Sequence, residues 1–552
     1  MLDSFEATQT RRQRRAAIWG TAAVVALFAA YGALLIARTS FVIDQKRYFC
    51  LFDDAMISMT YARNWADGHG LVWNVGEAPV EGYTNFAWVV VMAAVHRAGL
   101  GGASACLAMQ VVGLVLACTY LVGAARMAMV LRMGPFAVVL GCLLAAMFFP
   151  LTFFSIVGME QSLLAVLVTF AVASAIRCLQ DGRVRPAPFV LLAVGGLVRM
   201  DAVLCTAVLS LVLMFKCRRH AVLIMVYASL SLLPILAHML WRHSYYGEWL
   251  PNTYYMRVHA WPLADRLWSG FRMSLGSTRR LFLPMLIVAM TCLVRPRACL
   301  ALIFGTFVTL MLYQTWVGGD SWSRDRFLTP IMPAMLVITA GALTAAIRKT
   351  RQLESKWRRV LLPPLVGLIL AVPVASNQDT WREALLIKPP MFTEDNVKNL
   401  TRAFAIAQAT KKDALIGLYW AGSAPYFVAR NYLDFLGKSD KVIAFMPVRK
   451  AEITMPPGHK KWSWKYALEY RKPDVITRSD GQYLLHARRF QENYLKVCPR
   501  DDRQEEITFW VRRDSNRLRW FEIRFTHDYD QHEPLKLDDP PGEAEPNLNP
   551  GH

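Results

Sequence analysis

Two adjacent aspartates, Asp53 and Asp54, stand in the polar run FCLFDDAMISMTYARNWADGHGLVWNVGEAPVEGYTNFAW (49–88), just after an uncharged 22-residue apolar stretch, Ala16–Ala37. A carboxylate pair suits proton abstraction: one group takes the proton while its neighbour orients a hydroxyl or a metal, and like charge raises the pKa of one of the two. In the first outside loop of a membrane protein, such a pair is placed to act as a base on a lipid-borne substrate at the bilayer surface. The same aspartates could equally cap the helix that AMISMTYARNWA predicts, since Asp is a preferred N-cap.

Two further loops carry candidates. In YYGEWLPNTYYMR (245–257), Asn252, Tyr254 and Tyr255 offer polar tips that bond sugar hydroxyls and rings that stack on them, whereas Tyr245, Tyr246 and Trp249 also fit an interfacial aromatic belt. In VGGDSWSRDRF (317–327), Asp320 precedes Arg324 and Arg326, and the guanidinium fork matches phosphate oxygens in pairs. Ordinary ion pairing of Asp320 or Asp325 with those arginines is the alternative. Glu160 follows a long apolar run, and Arg199 with Asp201 interrupts another; charges at such depth mark function or a structural pair, and the second reads as a structural pair. The eleven histidines form no HExxH and the cysteines no Cys-x-x-Cys. A magnesium or calcium ion could bind at the aspartates, but nothing in the spacing requires one.

The elements that must hold these loops are apolar. Of 552 residues, 55% are hydrophobic and 19% charged, and the mean hydropathy is +0.27. Runs long enough for a bilayer, which takes about 20 residues per helix, recur at Gly101–Ala125, Pro135–Met159, His220–Trp241, Ala298–Gly319, Phe327–Ile347 and Val360–Gln378. The chain therefore reads as an α-helical polytopic membrane protein of about ten to twelve transmembrane helices. The stretches Phe86–Val95, a span or an interfacial helix, and Pro186–Phe215, one span or two turning at Arg199 and Asp201, leave the count open.

The formal charge of +21 does not point to nucleic acid, because the basic residues gather beside apolar runs: Arg11 to Arg15, Lys216 to Arg219, Arg295 and Arg297, and Arg348 to Arg359. By the positive-inside rule these mark cytoplasmic edges, with the N-terminus a retained signal anchor. Asp53 and Asp54, the 245–280 segment and the 317–327 loop then share the opposite face. Beyond residue 377 charges become frequent and apolar runs short. The expected organisation is a transmembrane domain over 1–376 with its first external loop at 38–85, an external soluble α/β domain over 377–537, and a disordered tail over 538–552. Of ten cysteines only Cys50 and Cys498 fall outside the membrane, too distant in sequence to imply a disulfide.

The run DDAMISMTYARNWADGHGLVWNVGEAPVEGYTNFAW resembles the first external loop of the GT-C superfamily, specifically the arabinofuranosyltransferases that finish mycobacterial cell-wall arabinan. The resemblance continues in order through GMEQSLL (158–164), YYGEWLPNTYYMR, GGDSWSRDRFLTPIMP (318–333), YWAGSAPYF and LDFLGKSD (419–440), and PPGHKKWSWKY with KPDVI (456–476). It implies an inverting transferase of the bacterial cytoplasmic membrane that moves a sugar, arabinofuranose in the closest relatives, from a decaprenyl or other polyprenyl phosphate to an extracytoplasmic glycan, glycolipid or protein acceptor. Asp53 would be the base with Asp54 its support, and Arg326 would meet the donor phosphate, with Asp320 and Arg324 beside it. Glu81, Tyr83, Asn252, Tyr254 and Tyr255 would line the sugar pocket, and His459 and Lys460 would reach it from the soluble domain. A lipid-linked-sugar flippase is the rival reading, and it predicts charges lining a path through the helix centres.

Overall fold

In hydrocarbon every backbone N–H and C=O needs a partner within its own segment, so each long apolar run becomes a helix. A computed structural model describes residues 2–322, 324–377, 380–448, 457–477, 488–499 and 507–525; the expected tail 538–552 lies outside them.

Helix α1 (Leu2–Thr39) leads through a hairpin of β1 (Phe41–Ile43) and β2 (Lys46–Tyr48) into the polar loop, which folds as α2 (Asp53–Ala66) and, after a coil, α3 (Phe86–Arg97). Helix α4 (Gly102–Val130) returns, α5 (Pro135–Ala146) and α6 (Phe149–Ile156) form one pass bent by 56°, and α7 (Gln161–Asp181) follows. The next two, α8 (Ala187–Val198) and α9 (Ala202–Lys216), are separated at Arg199–Asp201, which settles the reading of Pro186–Phe215 as two short helices. After α10 (Ala221–Tyr246) come the short α11 (Asn252–Val258), then α12 (Leu263–Arg280), which meets α13 (Phe282–Val294) at 83°, and finally α14 (Ala298–Trp316), α15 (Met332–Arg351) and α16 (Ser355–Ser376).

Seven helices are long and apolar enough to cross a bilayer. The two bent pairs, each taken as one span, bring the number to nine among the described residues, and α8 and α9 are shorter apolar helices. Helix α3 is no pass: its first turn follows Asn85, while at its other end His96 and the nearby Gly102 carbonyl meet Tyr426 of the C-terminal domain. Both ends lie on one face. Small residues let the passes approach, since a Cβ on Gly113 of α4 would collide with the Ser155 carbonyl of α6.

After α16 a helix at Thr393–Ala409 leads to a six-stranded sheet of order β4-β3-β5-β7-β6-β8, formed by β3 (Leu415–Leu418), β4 (Asn431–Asp434), β5 (Val475–Ile476), β6 (Tyr494–Pro499), β7 (Phe509–Arg512) and β8 (Ile523–Phe525). The β4, β3 and β5 ladders are parallel and the rest antiparallel. The loops after β3 and β4 project onto α2, so the polar face of the membrane domain and the edge of the soluble domain share one site.

Candidate functional site

Asp53 and Asp54 fill the first turn of α2, where the helix dipole favours negative charge. Neither acts as a cap: Phe52 is the N-cap and no side-chain cap bond forms. Successive helical residues point about 100° apart, and here that separates two environments. Asp53 is buried against the soluble domain, its Oδ1 accepting the Gly422 N–H at 3.0 Å, while its Oδ2 is enclosed with no partner among the described residues. Residue 422 must be glycine, because a Cβ there would run into the Asp53 carbonyl and carboxylate.

Asp54 faces a cavity of about 330 Å³ between α2, α9, α11 and the 317–327 loop. Its Oδ1 accepts from Lys438 Nζ at 2.6 Å and its Oδ2 from Arg326 Nη1 at 3.0 Å. Arg326 is in turn held by both oxygens of Asp320, at 2.7 and 3.1 Å. Arg257 also lines the cavity, its guanidinium 3.6 Å from Asp320 and 3.5 Å from the Ser321 hydroxyl. A second network closes the opposite wall: Arg199 pairs with Asp201 at 2.9 Å and with Glu160 at 3.1 Å, and Asn85, which accepts from Ser58, donates to Glu160 at 3.0 Å. Four cations, Arg199, Arg257, Arg326 and Lys438, thus border one enclosed space.

Burial pushes the Asp53 carboxyl up to about 7, with Lys438 opposing and the neighbouring Asp54 adding to the rise. Burial acts on Asp54 in the same direction, yet Lys438 and Arg326 overcome it and hold that group well below the usual carboxylate range. Lys438 is raised despite its burial, by Asp54 and Asp53. His459 is lowered to about 4, by burial and then by Lys438. At neutral pH the cavity therefore presents an ionised Asp54 among fixed cations, a setting able to hold an anion.

The structure brings Asp54, Tyr83, Tyr254 and Arg326 to the cavity wall, with Asp320 one step behind Arg326. Asp53 points away from it. Glu81 is turned to the buried Arg242, which takes it off the wall. Asn252 is a clip, its amide donating to the carbonyls of Gly437, Lys438 and Asp440 at 2.8, 3.0 and 3.2 Å. Tyr255 stacks on Phe445 with ring centroids 4.4 Å apart. Arg324 pairs with Glu383 at 2.8 Å and lies 3.9 Å over the Phe153 ring, and Lys460 sits 4.7 Å over Trp261; neither lines the cavity. The Arg199–Asp201 pair forms as expected but extends to Glu160 at the wall. Asp325 pairs with Arg280 rather than with a neighbour in its loop.

Sequence reasoning missed Lys438 and Arg257. Arg257 ends the quoted YYGEWLPNTYYMR run and was readable as a cavity cation from that position. Lys438 lies 384 residues from Asp54, and no spacing announces the pair. Among the described residues no group of three or more His, Cys, Asp or Glu gathers as a metal site. Both Asp54 oxygens already hold cationic side chains, so a magnesium or calcium ion there would have to displace Lys438 and Arg326.

No protein-family model matches the sequence, and no curated protein matches it. Solved structures do. ArnT from Cupriavidus metallidurans in the apo state is 14% identical, with 88% of this chain and 97% of that one covered and a TM-score of 0.50. The same protein bound to undecaprenyl phosphate aligns at 11% identity over 74% of this chain and 85% of that one, with a TM-score of 0.48. The Archaeoglobus fulgidus oligosaccharyltransferase tethered with an acceptor peptide aligns at 11% identity over 86% and 72%, with a TM-score of 0.49. The apo ArnT likeness covers most of both chains, and it shows that this chain shares the fold of that protein, a polytopic helical domain followed by a C-terminal domain with a sheet.

Proposed function

We propose that this protein is an inverting glycosyltransferase that moves a sugar from a polyprenyl-phosphate carrier to an acceptor hydroxyl at the outer face of the bacterial cytoplasmic membrane. The observation that carries the reading is Asp54, held by Lys438 and Arg326, facing a cavity that Arg199 and Arg257 also border. The ArnT-like fold and the ordered motifs of the arabinofuranosyltransferases support it, and the motifs make arabinofuranose the donor sugar and decaprenyl phosphate the carrier.

In this mechanism the acceptor oxygen attacks the anomeric carbon as the bond from that carbon to the phosphate oxygen breaks. The hydroxyl proton passes to Asp54, and the polyprenyl phosphate leaves with one more negative charge. A base has to reach the proton it takes, so Asp54, on the cavity wall, replaces the buried Asp53 in that role. Its low basicity suits a late proton transfer, when the attacking oxygen has already become acidic. Arg257 is the phosphate ligand, because its carboxylate partner is the most distant of those around the cavity, whereas Arg326 is saturated by Asp320 and Asp54 and serves to hold the base. No step runs through a metal ion. A flippase would place its charges along a path through the membrane; here they converge on one end.

The test is sugar transfer from synthetic polyprenyl-phosphoryl arabinose to an oligoarabinoside by purified protein. Loss of a positioned base costs about 10²–10⁴-fold, so Asp54→Asn is expected to fall by that factor and Asp53→Asn by much less. Equal activity of Asp54→Asn and wild type would sink the mechanism. Activity with another carrier-linked sugar but not arabinose would keep the reaction class and change the donor.

A further inference from the structure

On the far side of the strip formed by residues 80–82 and 438–439 lies a second cavity of about 360 Å³. Lys438 and Gly82 face the first cavity, Ser439 and Val80 the second, so the two spaces are neighbours across one thin wall. Its lining comes only from the external loop (73–80) and the soluble domain (432–442 and 466–471), with none from a membrane pass. The mechanism above leaves this space unused.

Its chemistry is mixed. Trp73 and Tyr466 contribute rings, and Glu77, Asp440 and Arg471 contribute charge. Arg471 donates to Glu77 at 2.8 Å, Tyr466 to Asp440 at 3.0 Å, and Asn74 to Glu77 at 2.7 Å, which fixes these groups as a preformed surface. Trp73 lines this space, and its indole N–H, buried in the structure, has no hydrogen-bond partner among the described residues. A buried donor of that kind is costly unless something fills it. Carboxylates outnumber cations, Glu77, Asp434 and Asp440 against Lys441 and Arg471, which disfavours a phosphorylated or sulfated ligand. The absence of membrane helices from the wall disfavours an alkyl or prenyl chain. A neutral sugar presents hydroxyls at its edge and C–H groups on its face, and this wall offers partners for both.

We propose that this second cavity binds a neutral saccharide unit of the acceptor chain, next to the unit that receives the new sugar. The assignment rests on the transferase reading and adds to it the class of acceptor, a glycan rather than a protein or a bare lipid.

Full-length protein is titrated with a neutral arabino-oligosaccharide and a neutral manno-oligosaccharide of equal length, by calorimetry without donor and by transfer kinetics with donor. Wild type binds at least one of them. Trp73→Phe, which keeps a ring and removes the donor, and Glu77→Gln, at a half-exposed position tolerant of change, each raise Kd and acceptor KM by roughly tenfold, the loss expected for one hydrogen bond, while donor KM stays. Unaltered Kd in both variants, or no binding of either sugar by wild type, overturns the site. Binding that weakens in both variants of a protein that transfers nothing keeps the site and sinks the transferase reading; transfer with unaltered acceptor KM does the reverse.

Discussion

Asp53 and Asp54 are adjacent in the chain and opposite in electrostatics, and the difference comes from what each meets. Asp54 meets Lys438 and Arg326 directly; Asp53 is buried and meets one backbone N–H. The rise of Asp53 to about 7 from an ordinary 3.8 has a sign for stability. The folded state holds the proton more tightly than the unfolded chain, so its favourable contribution is full below pH 3.8 and is lost as pH climbs through 7. Lys438, Asp54 and Asp434 all act on the group, and the value already contains their effects. Asp53→Asn removes this titration. Between pH 5 and pH 8 the apparent Tm of wild type is expected to fall relative to that of Asp53→Asn, by a few degrees for an effect on the order of 3 kcal/mol over that range in so large a chain. Melting curves of both proteins across that range check it. A pH-independent difference would mean that Asp53 does not carry the raised pKa assigned to it.

At the scale of elements, the site is a joint between α2 and the loop after β4, and Asn252 fastens it. Its amide meets three carbonyls of the 437–440 segment, the segment that carries Lys438 to Asp54. Asn252→Ala removes the amide donor from the Gly437 and Lys438 carbonyls, at about 1–3 kcal/mol each before water relieves them, while the Asp440 carbonyl keeps the Ala444 N–H. Transfer is expected to drop by about ten- to a hundredfold through misplacement of Lys438, with wild-type donor affinity; wild-type kcat would show that the loop holds itself. This joint also marks what the sequence disclosed. Uncharged runs disclosed the passes, because hydrocarbon permits few other structures, and the change in composition near 377 disclosed the soluble domain. The acidic pair stood out because two carboxylates beside a span are rare. The partition of roles within the pair depends on the azimuth of each residue on α2 and on Gly422 and Lys438 arriving from more than 350 residues away. Arg324 and Arg326 look alike in the motif, yet a sheltering Glu383 takes the first and Asp320 the second. Long-range pairing of that kind leaves no trace in local spacing.

For the whole molecule, the basic residues and the cavities lie at opposite ends of the passes. Arg218 and Arg219 precede α10, Arg295 and Arg297 precede α14, and Arg348, Lys349 and Arg351 close α15, whereas Asp201, Arg257 and Arg326 line the cavity near the other ends of α9, α10 and α15. On the proposed topology, with its basic amino-terminal flank inside, the N-terminus and the C-terminal domain lie on different sides of the membrane. The arrangement is testable with single added cysteines at exposed positions, one in the soluble domain, Asp413→Cys, and one in the first turn of α16, Lys356→Cys. Background labelling is expected to be low, because the ten native cysteines are buried or only partly accessible. A membrane-impermeant maleimide applied to intact spheroplasts should modify Asp413→Cys at once and Lys356→Cys only after permeabilisation. The reverse result would turn the cavity toward the cytoplasm, where a nucleotide-activated sugar would be the available donor, and the case for a polyprenyl-phosphate carrier would fall with it.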